Sequence, residues 1–152
     1  MKTRLRARLA VAVVAILAGS VLALFATTGP AVAFFSGGLF LDVQVESPAR
    51  LVAGGASVDV PVEITCNARP GTSQVTVSVT QRVGKGIAGG TNTVNVACAG
   101  SGQNIVVRVR ATVGGKAFQR GSAVADAEIV GCTADFSTCG NETDSEEISI
   151  RR

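Results

Sequence analysis

The sequence predicts an all-β protein, an antiparallel β-sandwich of seven or eight short strands that follows an N-terminal signal helix. Three observations support this. Apolar and polar residues alternate in short runs, turn signals recur between the runs, and no helical period follows the N-terminal segment. The clearest run is Ser57–Cys66, in which the even-numbered residues are all apolar. Because side chains alternate between the two faces of a strand, this run has one buried and one wet face.

The other predicted strands follow the same alternation. In chain order they cover residues 39–46, 75–80, 93–98, 105–113, 123–129 and 147–150. Turn signals separate them, and a loop with four glycines is predicted at 84–90. Phe118 and Ala123 are both expected to face inward although their numbers differ in parity, so a bulge is expected near Gly121.

This number of short strands with regular turns is typical of a two-sheet, immunoglobulin-like sandwich. The chain contains neither Trp nor Tyr, so it lacks the buried tryptophan and the tyrosine corner of true immunoglobulin domains. The core is expected to consist of Val, Ala and Ile, which pack thinly. Disulfides are expected to compensate for that thin core.

A targeting segment is predicted at the N-terminus. Four basic residues lie within the first eight positions, an apolar run covers 9–26, and residues 31–33 have the small-x-small pattern that signal peptidase accepts. Cleavage is expected between Ala33 and Phe34. An uncleaved anchor is the alternative, because the apolar run approaches the roughly 20 residues that span a bilayer. An anchor with this charge distribution would leave the following domain outside the cell.

The predicted cleavage divides the chain into a signal peptide at 1–33 and a β-sandwich domain at 34–152. The whole chain has 14 basic and 11 acidic residues, but four of the basic residues lie in the signal, which leaves a formal charge of −1 on the domain. The apparent basicity is therefore a targeting effect and gives no support for nucleic-acid binding. The domain is expected to be secreted or to lie on the extracellular face of the envelope, with membrane contact only through an uncleaved N-terminal segment.

All four cysteines lie in the predicted exported domain, and an even number in an oxidising compartment predicts two disulfides. Sequence alone allows three pairings. Cys66 and Cys98 continue inward-facing stripes, whereas Cys132 continues the wetter side of its strand. We therefore expect Cys66–Cys98 across the core and Cys132–Cys139 as a local clip. Zinc is disfavoured, because the chain has no histidine and the cysteine spacings are not those of zinc sites.

No catalytic, cofactor-binding or metal site is predicted. Without histidine, the usual general base for a Ser or Cys nucleophile is missing. Two carboxylate pairs lie on predicted outward faces, Asp59 with Glu63 and Asp126 with Glu128. They are expected to be solvated or to form cross-strand ion pairs, with Arg108 and Arg110 as candidate partners.

Two further segments are candidates for ligand binding. Gly84-Lys85-Gly86 has the composition of a phosphate-binding loop without its spacing, so a mobile strand connection is expected instead. Residues 135–147 hold five acidic residues. Calcium prefers clustered oxygen ligands, but no regular ligand spacing is present here. A solvated loop clipped by a disulfide is expected, with calcium binding as the alternative.

The Cys66 and Cys98 pair, the Phe118-x-x-Gly-x-Ala-x-Ala-x-Ala127 run and the terminal Cys132/Cys139 clip resemble small secreted proteins of high-GC Gram-positive bacteria. That resemblance implies an immunoglobulin-like sandwich of unknown function. The tail at 132–150 also resembles the end of the enediyne-binding apoproteins, which implies a carrier of a small apolar ligand. In that family, however, the first disulfide closes a short loop, and stacking aromatic residues are expected that this chain nearly lacks.

The function expected from these features is that of a secreted, non-enzymatic interaction module without a cofactor. Its partner would be an unidentified protein or glycan at the cell surface. The carrier of a small apolar ligand, held between the sheets, is the alternative. A protease inhibitor that presents the predicted loop at 84–90 is a third possibility.

Overall fold

The computed structural model describes residues 38–67, 73–98 and 100–152, which form eight strands and one short 3-10 helix. The strands are β1 (Leu41–Val45), β2 (Ala49–Val52), β3 (Ser57–Cys66), β4 (Ser73–Val83), β5 (Gly86–Val96), β6 (Gln103–Arg110), β7 (Gly121–Cys132) and β8 (Cys139–Arg151), and the 3-10 helix is Ala53–Gly55. Within these ranges, no helix is long and apolar enough to span a bilayer. The predicted signal helix and its cleavage site lie outside the described residues and remain predictions.

The strands form two layers that are joined at one edge. In the first layer, β3 pairs antiparallel with β1, β2 and β6. In the second layer, the order is β8–β7–β4–β5, again antiparallel. The joining strand is β2, which also pairs in parallel with β8 through Ala49 opposite Ile150 and Arg50 opposite Arg151. The predicted all-β sandwich is confirmed, with eight strands and this one parallel contact.

The core lies between the inward faces of the two layers, as the alternation in the sequence predicts. Every even-numbered position of β3 from 58 to 66 is fully buried, and β4 and β7 contribute their odd-numbered positions. The members of this core on the central strands are Val58, Val60, Val62, Ile64, Val75, Val77, Val79, Ala123, Ala125, Ala127 and Ile129. Each fully buried Val or Ile contributes about 1.5–3 kcal/mol through removal of its apolar surface from water.

The prediction of a loop at 84–90 is wrong, because most of these residues belong to β5. Only Gly84 and Lys85 form the turn between β4 and β5, and Val83 pairs directly with Gly86. Gly84 has φ +60, a left-handed conformation that glycine adopts without strain. Gly90 is required for packing, since a Cβ there would collide with the carbonyl oxygen of Arg110 on β6. Gly90 therefore allows β5 and β6 to approach each other closely.

The acidic segment at 135–147 is also mostly strand rather than loop. β8 begins at Cys139 and pairs with β7 in register as far as Ile150. The true turn is at 133–138, where the Asp135 carboxylate accepts hydrogen bonds from the hydroxyls of Thr133 (2.6 Å) and Ser137 (2.8 Å). Those hydrogen bonds lower the pKa of Asp135 from 3.8 to about 2. The prediction of a last strand limited to 147–150 was too short.

Phe118 reaches the core without a bulge in β7. It lies in the segment before that strand, is 1% exposed, and donates its N–H to the carbonyl of Gly55 at 2.9 Å. The buried amide of Gln81 holds the next residue from both sides, accepting from the N–H of Gln119 (2.7 Å) and donating to its carbonyl (2.8 Å). β7 then starts at Gly121, whose φ is +132. The predicted bulge near Gly121 is therefore wrong. Phe118 faces the core because hydrogen bonds hold the segment before β7 in place.

Candidate binding surface

The two disulfides fix the frame on which the surface is built. Cys66, buried at the end of β3, bonds to Cys98 just beyond β5, so this bridge joins the two layers. Cys132 and Cys139 lie directly opposite each other on β7 and β8, and their bridge clips that hairpin. Both pairings are those expected from strand-face parity. Among the described residues there is no free cysteine.

A row of charged side chains crosses the outer face of the first layer. Register places Arg50 of β2 and Arg108 of β6 directly opposite Asp59 of β3, one on each side. Arg108 binds the carboxylate in a bidentate manner, with Nε 2.7 Å from Oδ1 and Nη2 3.0 Å from Oδ2. Arg50 adds a third contact, from Nη2 to Oδ2 at 3.0 Å. One carboxylate is therefore shared by two guanidinium groups.

Asp59 is buried by its own partners rather than by the core. Its side chain is 6% exposed, whereas those of Arg50 and Arg108 are 67% and 54% exposed. The hydrogen bonds from Arg108 hold the pKa of Asp59 below its ordinary value of 3.8, against the opposing effect of burial, and those from Arg50 add to the lowering. The same contact raises the pKa of Arg108. The cluster keeps a net positive charge that faces solvent.

Two more arginines extend this row. Arg151 lies opposite Arg50 in the parallel contact between β2 and β8. Arg110 follows Arg108 by two residues on β6 and lies opposite Ser57 of β3. Neither forms an ion pair with any carboxylate in the part of the chain that the structure describes. Arg151 Nε donates to the hydroxyl of Ser149 at 3.4 Å. We call Arg50, Arg108, Arg110 and Arg151, together with Asp59, the arginine row.

The row ends in a depression at the edge where β6 meets β5. Its volume is about 300 Å³, and it is lined by Thr91, Asn92, Arg108 and Arg110. The Asn92 amide donates to the backbone carbonyl of Arg108 at 3.0 Å, which fixes the two edges together. The Thr91 hydroxyl lies 2.9 Å from that of Ser78 on the neighbouring strand. Guanidinium, amide and hydroxyl groups thus border one small concavity.

A second depression, of about 490 Å³, lies on the second layer and has the opposite charge. It is lined by Thr76, Ser78, Asp126, Ala127, Glu128, Thr143, Asp144 and Ser145. Its carboxylates have neutral partners, since Asp126 accepts from the Ser145 hydroxyl (2.7 Å) and Glu128 from the Asn141 amide (3.2 Å). This depression is therefore acidic, whereas the one beside Arg110 is basic.

The expectations for individual residues had mixed outcomes. Of the two outcomes expected for Asp59, the cross-strand ion pair with Arg108 is the one found, and the two arginines cover the carboxylate rather than leaving it solvated. Arg110, the other candidate partner, stays unpaired among the described carboxylates. Within the described ranges no group of three or more potential ligands could hold a metal ion.

The carrier of a small apolar ligand needs a cleft between the sheets, and the protease inhibitor needs a projecting loop. The described residues give little support for either. The inward valines, alanines and isoleucines pack in one buried cluster. A third depression, of about 290 Å³, lies at the start of β1 and β8, beside Leu39, Leu41 and Glu142, rather than between the central strands. The segment at 84–90 is a paired hairpin rather than a projecting loop.

No protein-family model and no curated protein sequence matches this chain. Among solved structures it is similar to AggA, the major subunit of aggregative adherence fimbriae type I from Escherichia coli, with a TM-score of 0.37 and 10% sequence identity. That alignment covers 74% of this chain and 94% of AggA. A likeness this distant assigns no function to the chain.

Proposed function

We propose that this chain is an exported, disulfide-stabilised β-sandwich that acts outside the cell by binding through its surface. The observation that carries the proposal is that all four cysteines of the sequence are paired. Disulfides of this structural kind persist in oxidising compartments and are rare where thiols are kept reduced. The N-terminal basic and apolar segment agrees with export.

Binding rather than catalysis is the role that we propose for the surface. The sequence has no histidine, so a Ser or Cys nucleophile would lack its most common base. The carboxylates that might replace it have other partners: Asp59 lies between two guanidinium groups, and Asp126 and Glu128 accept from neutral side chains. An exposed face whose Arg110 and Arg151 have no carboxylate partner among the described residues is suited to a partner that spreads over it.

Fractionation of the native host tests this proposal. We expect the protein in the medium or on the outer surface, with Phe34 as its N-terminal residue. A maleimide that labels free thiols should react only after reduction, because both disulfides are formed. Recovery of the intact chain from the cytosol with reactive thiols would overturn the proposal.

A further inference from the structure

We infer that the arginine row binds an acidic polysaccharide, a polymer that carries a carboxylate or sulfate on its repeating unit. This inference rests on the proposed function, since an exported protein meets such polymers outside the cell. It adds a binding surface and a partner chemistry to that function. The surface comprises the outer face of β2, β3, β6 and the end of β8, together with the depression beside Arg110.

The first argument is geometric. Arg151, Arg50, Asp59 and Arg108 occupy directly opposite positions on four neighbouring strands. Neighbouring strands lie about 4.8 Å apart, so the row extends over about 14 Å. The inward neighbours Ala49 and Ile150 are each 1% exposed, which places Arg50 and Arg151 on the outer side. A linear polymer that crosses these strands would meet three guanidinium groups, because the arginines on either side of Asp59 cover its carboxylate.

The second argument is the balance of charge. The domain predicted at 34–152 has ten basic and eleven acidic residues, yet four of the ten basic residues belong to this row. Only Asp59 among the carboxylates lies within it, and its negative charge is shared by two arginines. Six of the eleven acidic residues lie instead on β7 and β8. The nearest carboxylate further along the outer face of β3 is Glu63, four residues from Asp59.

The third argument is the chemistry of the available donors. Guanidinium groups bind carboxylate and sulfate through paired hydrogen bonds, and they are more weakly hydrated than ammonium groups. Arg110 and Arg151 have no carboxylate partner among the described residues, so they are available for such contacts. In the depression, Arg110 lies beside Arg108, the hydroxyl of Thr91 and the amide of Asn92, and such polar groups suit sugar hydroxyls. Asp59 orients the side chains of Arg50 and Arg108 and holds them on this face.

Binding of the disulfide-intact protein to defined polymers tests the inference. The probes are polygalacturonate, which carries carboxylates, and heparin, which carries sulfates, with neutral dextran, poly-glutamate and anionic phospholipid vesicles for comparison. The variant Arg110→Gln with Arg151→Gln removes two exposed charges outside the core and without ion-pair partners in the described chain. The matched control, Arg82→Gln with Lys85→Gln, removes two charges from the second layer and its hairpin turn.

We expect saturable binding to at least one acidic polysaccharide that weakens as salt rises, because bound cations are released. The row variant should raise Kd about tenfold, which corresponds to about 1.4 kcal/mol, and the control variant should change it less than twofold. Equal losses in both variants, no binding at low salt, or equal binding of vesicles or poly-glutamate would overturn the inference. If export and both disulfides are found in such a case, the proposed function still stands. A cytosolic, reduced protein would overturn that function whatever the probes show.

Discussion

Arg108 holds Asp59 in a bidentate contact across two neighbouring strands, with both of its nitrogen–oxygen distances at or below 3.0 Å. The acidic partner is nearly inaccessible and the basic partner is more than half exposed. Arg50 contacts the same carboxylate from the other side. Both carboxylate oxygens therefore bind guanidinium groups within the cluster, while the two arginines remain exposed to solvent. The cluster therefore supports the sheet and presents positive charge at the same time.

Replacing Asp59 with Asn should destabilise the domain by about 1–2 kcal/mol, because two charge-assisted hydrogen-bond partners lose their anion. Solvent screening of the exposed arginines keeps the loss modest. Urea unfolding monitored by circular dichroism would measure it. Glu63→Gln is the matched control, since Glu63 lies on the same strand and face with no ion pair among the described residues. An equal effect of both substitutions would contradict this account of the cluster.

Acid should weaken the domain in a way that depends on Asp59. Because the pKa of Asp59 is lowered on folding, its stabilisation is present above pH 3.8, the ordinary value, and is lost as the pH falls through the folded-state pKa. Asp59→Asn should therefore flatten the fall in the urea midpoint as the pH is lowered below 3.8. Asp135, whose pKa is lowered to about 2, keeps its own contribution in both proteins. An unchanged acid profile in the variant would contradict the prediction.

The two disulfides should differ in their importance. Cys66–Cys98 closes 32 positions of chain and joins the layers, whereas Cys132–Cys139 closes 7 and clips adjacent strands. In the chain-entropy model these bridges stabilise by about 3–4 and about 2–3 kcal/mol, out of about 5–15 for a typical domain. We expect replacement of Cys66 and Cys98 by Ala to abolish secretion of folded protein largely. Replacement of Cys132 and Cys139 by Ala should leave a folded, slightly weaker domain, and equal yields of the two variants would contradict the assignment.

Two adjacent glycines on β5 should differ in how well they tolerate a methyl group. A Cβ at Gly90 collides with the backbone of Arg110, whereas a Cβ at Gly89 makes only ordinary contact, 3.5 Å from the carbonyl oxygen of Val79. Gly90→Ala should therefore cost at least about 1–3 kcal/mol through overpacking. Gly89→Ala should be close to neutral, because it also reduces the freedom of the unfolded chain. Thermal unfolding of the pair measures the difference, and similar melting temperatures would mean that β5 and β6 lie further apart.

Much of the fold could be predicted because inward and outward residues alternate on most strands. The alternation predicted the two central strands from Val58 to Ile64 and from Val75 to Val79. The strand face on which each cysteine lies predicted the correct disulfides. The alternation fails on β8, where Ile148 and Ile150 are buried but the same face carries Glu142, Asp144 and Glu146 closer to Cys139. It fails on early β5 for another reason, since Gly89 and Gly90 have no side chain to mark a face.

The arginine row could not be predicted from local pattern, because it depends on register between strands that are distant in the sequence. Arg50, Asp59 and Arg108 are brought together by β2, β3 and β6, and β2 itself was not predicted as a strand. Its sequence, Ala-Arg-Leu-Val, is too short to show a period. The predicted partnership of Asp59 with Arg108 was correct, but the participation of Arg50 and Arg151 required the tertiary structure.

Non-reducing peptide mapping of the protein recovered from the medium tests the central claim most directly, that this is an exported sandwich whose layers are joined by a disulfide. Cleavage after Arg82 separates Cys66 from Cys98, so the two peptides should stay linked until a reductant is added. The account predicts that linkage, an internal bridge between Cys132 and Cys139, and Phe34 as the N-terminus. A bond from Cys66 to Cys132 or Cys139, or free thiols at these positions, would contradict both the strand faces and the fold built on them.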